Sequence, residues 1–203
     1  MRKSFTLAAV VASLAAFAVP AAASAAHRVA ASDAVYAITN ATTGNSVAAY
    51  SRAANGTLTY AGTYATGGLG TGAGLGSQGA VTLADNGKHL FAVNAASNSI
   101  SEFSVKHDGL RLEATFSSNG FLPISVTANK NRLYVLNAGS STITRFKTDG
   151  NGRVETINGS TQPLPGSAPA QVAFSPNGSA LVVTEKGSRT IDTFAVSGGV
   201  AQP

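Results

Sequence analysis

The stretch HLFAVNAASNSISEF at residues 89–103 returns almost position for position as RLYVLNAGSSTITRF at residues 132–146. A chain that repeats one pattern this closely builds the same local unit more than once, so repeats come before any other reading. Looser copies begin at Val35, VYAITNATTGNSVAAY, and at Leu181, LVVTEKGSRTIDTF. Inside the last three copies the spacing is constant: Asn94–Ile100–Phe103, Asn137–Ile143–Phe146 and Glu185–Ile191–Phe194. Leu90 and Leu133 are 43 residues apart, and Leu133 and Leu181 are 48 apart. Periods of that length, filled with short strand-like runs, are those of propeller blades.

Each unit reads as four antiparallel strands. AVTLA, ISVTA and AQVAF alternate as entry strands, and Asn86-Gly87 and Asn177-Gly178 supply turn residues that tolerate a positive φ. HLFAV, RLYVL and ALVVT are continuous apolar runs, as expected of a strand covered on both faces. Tyr36, Phe91, Tyr134, Phe103, Phe146 and Phe194 fall at equivalent places and are expected in the core between blades. The fold class is therefore all-β, a propeller of four-stranded antiparallel blades. The blades are expected at about 35–68, 75–120, 121–166 and 167–203. Counting strands gives three, four, four and three, an incomplete ring of about three and a half blades. The missing C-terminal blades of the same protein are then an expected partner, because unpaired strand edges and bare apolar faces recruit one.

Residues 1–26 stand apart. Arg2 and Lys3 precede the apolar run FTLAAVVASLAAFAV, and Ala23-Ser24-Ala25 follows as a small-residue cleavage triplet. This is the pattern of a secretory signal, which implies a secreted or periplasmic protein with no membrane attachment after cleavage. The remaining stretch of about 178 residues, 27–203, is the size of a single domain. The net charge is +5, of which Arg2 and Lys3 account for two, and the other cations are scattered singly. A nucleic-acid footprint would cluster them, so none is expected. With no cysteine, neither disulfides nor thiol chemistry can contribute.

The block around APAQVAFSPNGSALVVTE and KNRLYVLNAGSSTITRF resembles the seven-bladed lactonase-like propellers, including those with YVTN-type repeats, over residues 35–203. The resemblance covers only the N-terminal half of such a ring. It implies a secreted protein that hydrolyses a sugar-acid or related lactone. The alternative is a non-catalytic extracellular propeller that binds carbohydrate, polymer or protein. One departure stands out: lactone-opening relatives often carry His after the Pro at a blade entrance. Here those places read Pro123-Ile124 and Pro169-Ala170. His27, His89 and His107 lie near the signal and in or beside turns, away from any expected base position.

For chemistry, Glu185 and Arg189 place a carboxylate and a guanidinium where other copies carry Asn137 and Ser141. They are the candidate catalytic pair, with a surface ion pair as the plain alternative. Asn94 and Asn137 recur at one strand end, together with Asn40, and are candidates for ligand contact or for turn capping. A small-molecule or carbohydrate ligand is possible; no cofactor or metal site is expected, since no His/Asp/Glu grouping has ligand spacing. Gly74-x-Gly76-x-x-Gly79 formally fits a dinucleotide fingerprint, but the strand-like AVTLAD follows it rather than a helix. The segment reads as a flexible loop between blades.

Overall fold

The computed structural model describes residues 33–149, 153–197 and 200–202. The expected signal segment lies outside the described residues. Four antiparallel sheets follow one another along the chain. Sheet I holds β1 (Ala34–Ile38), β2 (Ser46–Arg52) and β3 (Leu58–Ala65). Sheet II holds β4 (Val81–Ala84), β5 (His89–Asn94), β6 (Ser99–Lys106) and β7 (Gly109–Ser117). Sheet III holds β8 (Pro123–Asn129), β9 (Arg132–Asn137), β10 (Thr142–Thr148) and β11 (Val154–Pro163). Sheet IV holds β12 (Pro169–Phe174), β13 (Ala180–Glu185), β14 (Thr190–Ser197) and β15 (Val200–Gln202). In every sheet the strands lie in chain order, the meander of a propeller blade. The described strands number fifteen rather than the expected fourteen, because the short β15 pairs with β14.

The repeat in sequence is a repeat in register. Leu90 sits opposite Phe103, Leu133 opposite Phe146 and Leu181 opposite Phe194. HLFAV and RLYVL are buried on both faces, with alternate residues serving opposite cores. In ALVVT, Leu181 and Val183 are buried but Val182 on the other face is only half-buried, because no further described sheet covers sheet IV there. Leu90 and Ala92 pack with Val47 between sheets I and II. Phe91 and Val93 pack with Leu133, Val135 and Phe146 between sheets II and III. Tyr134 and Leu136 pack with Leu181, Val183 and Phe194 between sheets III and IV. Each blade interior therefore exists only through its neighbour. Turns follow the expected chemistry: Asn86 and Gly87 adopt φ of 55° and 81°, and Gly178 adopts 71°.

Residues 66–80 are not the free loop that the glycine content suggests. The segment is a strap hydrogen-bonded to all four sheets. The amides of Gly70 and Gly72 donate to the Ala41 and Asn40 carbonyls, at 2.8 Å each, beside sheet I. The Leu69 carbonyl accepts from Ala96 N–H after β5, and the Gly79 carbonyl from Val126 N–H on β8. Ser77 Oγ donates to the Ile124 carbonyl at 2.8 Å, and Lys186 Nζ beyond β13 donates to the Gly76 carbonyl at 2.9 Å. A strand, β4, follows the strap, so its glycines present no helix N-terminus to a pyrophosphate.

Candidate functional site

Asn94, Asn137 and Glu185 end β5, β9 and β13 and occupy one structural position, repeated three times. All three are buried, at 0%, 0% and 2% exposure. Asn94 Nδ2 donates to Ser101 Oγ at 2.7 Å, and its Oδ1 accepts from Asn45 Nδ2 at 3.0 Å. Asn137 Nδ2 donates to Thr144 Oγ1 at 3.2 Å and to the Ser118 carbonyl at 3.3 Å. Glu185 Oε2 accepts from Ser188 Oγ at 3.1 Å and Thr190 Oγ1 at 3.4 Å. A glycine of the preceding linker lies against each: Gly68 on Asn94, Gly120 on Asn137 and Gly166 on Glu185. A Cβ at any of them would overlap the side chain beneath. The linkers thus lid all three positions. Asn137 ties its linker to the blade, while Asn94 joins β5 to β6 and to Asn45 beside sheet I.

The structure does not bring Glu185 and Arg189 together. Among the described residues the ion pairs are His89–Glu102, Arg111–Glu113 and Lys147–Glu155. Arg189 is exposed in the β13–β14 turn with φ of 59°, matching Asn98 at 53° and Ser141 at 48° in the other copies. It serves a turn position. Burial raises the Glu185 carboxyl above its usual range, and Asp192 adds to the shift while Ser188 opposes it.

An open site lies elsewhere, in a cleft of about 700 Å³ between sheets II and III. His89, beside a turn in sequence, opens β5 and is only 8% exposed. On the neighbouring β6, Glu102 is 2% exposed, and its Oε1 lies 3.1 Å from His89 Nδ1, a close contact that lacks hydrogen-bond alignment. The two meet because His89 pairs with Ser104 and Phe91 with Glu102, which puts them diagonally on one face. Burial first, then the charges of Glu113, Asp149 and Asp85, pushes Glu102 up to about 7. The rim is cationic, with Lys88, Lys106, Arg111 and Arg153, all exposed. Arg111 Nη2 engages Glu113 Oε1 at 2.6 Å, and Phe116 and Val154 make an apolar wall. Phe116 is fixed edge-on against Phe146, with centroids 5.3 Å apart.

A buried carboxyl near neutrality beside an imidazole can exchange a proton with a ligand at ordinary pH. Reading His89 as away from any base position missed this pair. A signal was present in the repeat columns, where Glu102 stands against Arg145, and His89 against Arg132. Among the described residues, no group of three or more His, Asp or Glu converges as a metal site would, and no helix is long and apolar enough to cross a membrane.

The family description "Lactonase, 7-bladed beta-propeller" matches residues 123–201. No curated protein matches the sequence. Among solved structures, a candidate 6-phosphogluconolactonase of Bacteroides fragilis is 17% identical, with a TM-score of 0.66 over 84% of this chain and 52% of that one. A functionally unknown protein of Desulfotomaculum acetoxidans is 19% identical, with a TM-score of 0.64 over 78% and 50%. The periplasmic gluconolactonase of Pseudomonas aeruginosa is 17% identical, with a TM-score of 0.56 over 84% and 49%. The chain spans about half the length of these structures. Residues 123–201 carry the sequence pattern of the seven-bladed lactonase β-propellers, and the four sheets have the fold of lactonase-like propellers.

Proposed function

We propose that this protein is an exported, lactonase-like propeller that opens a sugar-acid or related lactone in the cleft between sheets II and III. The observation that carries the reading is the buried His89–Glu102 pair on the wall of an open, cation-rimmed cleft. The lactonase match over residues 123–201 supports the reaction class. Ring opening needs a base for water and positive charge for the carbonyl oxygen and the carboxylate product. The Glu102 carboxylate takes a proton from water as its oxygen bonds to the lactone carbonyl carbon. The tetrahedral intermediate then breaks its ring C–O bond. The departing alkoxide recovers the proton from Glu102, leaving a hydroxy acid. His89 lies against the carboxyl, and the rim cations face the charge that develops.

The test is hydrolysis of glucono-δ-lactone by the full chain, corrected for the spontaneous reaction. Glu102→Gln is expected to lower kcat/KM by about 100-fold, the low end for loss of an acid–base group. Hydrolysis no faster than buffer, or equal in the variant, defeats the reading. A second reading is a non-catalytic extracellular propeller that binds carbohydrate, polymer or protein; with Asn94, Asn137 and Glu185 lidded, its ligand too would have to use the cleft. Binding without turnover would select it. Export rests on residues 1–26, and N-terminal sequencing of protein recovered from outside the cytoplasm tests it: an intact Met1 would refute cleavage.

A further inference from the structure

We infer that the cleft between sheets II and III selects a uronate-type sugar, a carbohydrate ring carrying its own carboxylate. The inference rests on the cleft being the functional site, but not on hydrolysis there. Three features coincide at one place. The rim holds four cations, Lys88, Lys106, Arg111 and Arg153, of which Arg111 is engaged by Glu113. Against the remaining Lys88, Lys106 and Arg153 the lining sets Glu102, with Asp85 and Asp149 close behind it. A small positive excess therefore faces the opening and suits an anionic group better than a neutral sugar. Deeper in, His89, Glu102 and Ser104 present buried polar atoms at spacings set by two paired strands. The amide of Val105 donates to the Lys88 carbonyl at 2.8 Å, so His89 and Ser104 form the closer, non-hydrogen-bonded kind of cross-strand pair. Imidazole, carboxyl and hydroxyl together both donate and accept, which is what sugar hydroxyls require. The third feature is the wall of Phe116 and Val154 beside these groups. An apolar, rigid wall takes the C–H face of a sugar ring and gives nothing to a bare inorganic anion.

The cleft volume of about 700 Å³ lies within the range of small-ligand sites, roughly 300–1,000 Å³. A carboxylate on the sugar would lie toward Lys88 and Arg153, which approach from sheets II and III respectively. The ligand would thus bridge two blades. A free uronic acid and a terminal residue of an acidic polysaccharide share this chemistry, and the comparison of monomer with oligomer separates them.

The experiment is calorimetric titration of the full chain with D-glucuronate and D-glucose, which differ only at the carboxylate. D-galacturonate, tetragalacturonate and inorganic phosphate serve as further probes. Glucuronate is expected to bind at least about tenfold more tightly than glucose, with affinity falling as salt is raised. The double variant Lys88→Ala/Arg153→Ala, altered only at exposed positions, is expected to lose about tenfold for glucuronate while keeping its circular-dichroism spectrum and melting temperature. Tighter binding of tetragalacturonate than of galacturonate points to a polysaccharide end, and equal binding to the free acid. Equal affinity for glucuronate and glucose overturns the inference. So does phosphate binding as tight as glucuronate, or undiminished glucuronate binding in a folded double variant. If glucuronate binds as expected and no lactone is opened, the hydrolytic reading falls alone. If lactone is opened without charge selectivity, this inference falls alone.

Discussion

Glu185 and Asp192 place two carboxyls side by side where the other blades pair an amide with a hydroxyl, Asn94 with Ser101 and Asn137 with Thr144. Glu185 Oε1 and Asp192 Oδ2 are buried and meet no donor. Burial, and after it the neighbouring Asp192, raise the Glu185 carboxyl, so its protonated form is favoured at this position. The fourth blade has therefore exchanged an amide clamp for a carboxyl that Ser188 and Thr190 hydrogen-bond and that keeps its proton to higher pH than an exposed acid.

The pair makes stability depend on pH. The Glu185 carboxyl is raised above its ordinary value of 4.5, so the folded state holds the proton more tightly than the unfolded chain. Its stabilising contribution is complete below the ordinary value and is lost as pH rises through the raised one. Urea melts from pH 4 to 8 should show this decline, and Glu185→Gln should flatten it while melting later at pH 8. A Glu185→Gln curve parallel to the parent would refute the raised carboxyl as the cause.

Glu102 adds a second window of the same sign. Its carboxyl moves from an ordinary 4.5 to about 7, so its contribution is lost as pH climbs between those values. Lactone opening needs the ionised form, so activity should rise across the interval in which stability falls. A pH–rate profile with no inflection near 7, together with unchanged melts for Glu102→Gln, would contradict the assignment.

The linker glycines admit a direct steric test. Gly120 lies on Asn137 so closely that a Cβ would meet the amide carbon and nitrogen. Because Asn137 is fully buried and hydrogen-bonded, it has nowhere to retreat. Gly120→Ala should destabilise by about 1–3 kcal/mol, the usual cost of overpacking. Gly56→Ala is not an equal control, since its φ of 87° already strains alanine. Gly74→Ala, with open space and no positive φ, should be neutral.

Arg189 should matter to the turn and not to a ligand. Its φ of 59° suits glycine or asparagine, and the second blade has Asn98 there. Arg189→Gly should leave lactone opening unchanged and raise stability by about 0.5–1 kcal/mol as the left-handed strain is relieved. Loss of activity in that variant would return Arg189 to the site.

The blades were legible because periodicity and burial say the same thing. HLFAV and RLYVL leave no polar face, and the only way to cover both sides of such a strand is to stack sheets on each side of it. The end of the fourth repeat was legible only in part: Val200–Gln202 is too short to announce a strand, and its pairing with β14 decides it. The cleft was hidden for a different reason. His89 and Glu102 lie thirteen residues apart in sequence and meet only through strand register, while the rim is completed from sheet III by Arg153. The charges at Glu185 and Arg189 break a pattern of neutral residues, but a break at a lidded strand end alters packing before it creates chemistry.

The strap at residues 66–80 sets an order of events in folding. Strands within each sheet join neighbours through short turns, contacts that cost little loop entropy and form early. The strap's bonds reach much farther: Asn40 to Thr71 spans 31 residues, Ser77 to Ile124 spans 47, and Lys186 to Gly76 spans 110. Those partners cannot meet until sheets I, III and IV already stand in place. The strap therefore docks last, and in hydrogen exchange its amides should open first, ahead of the hairpins it ties together.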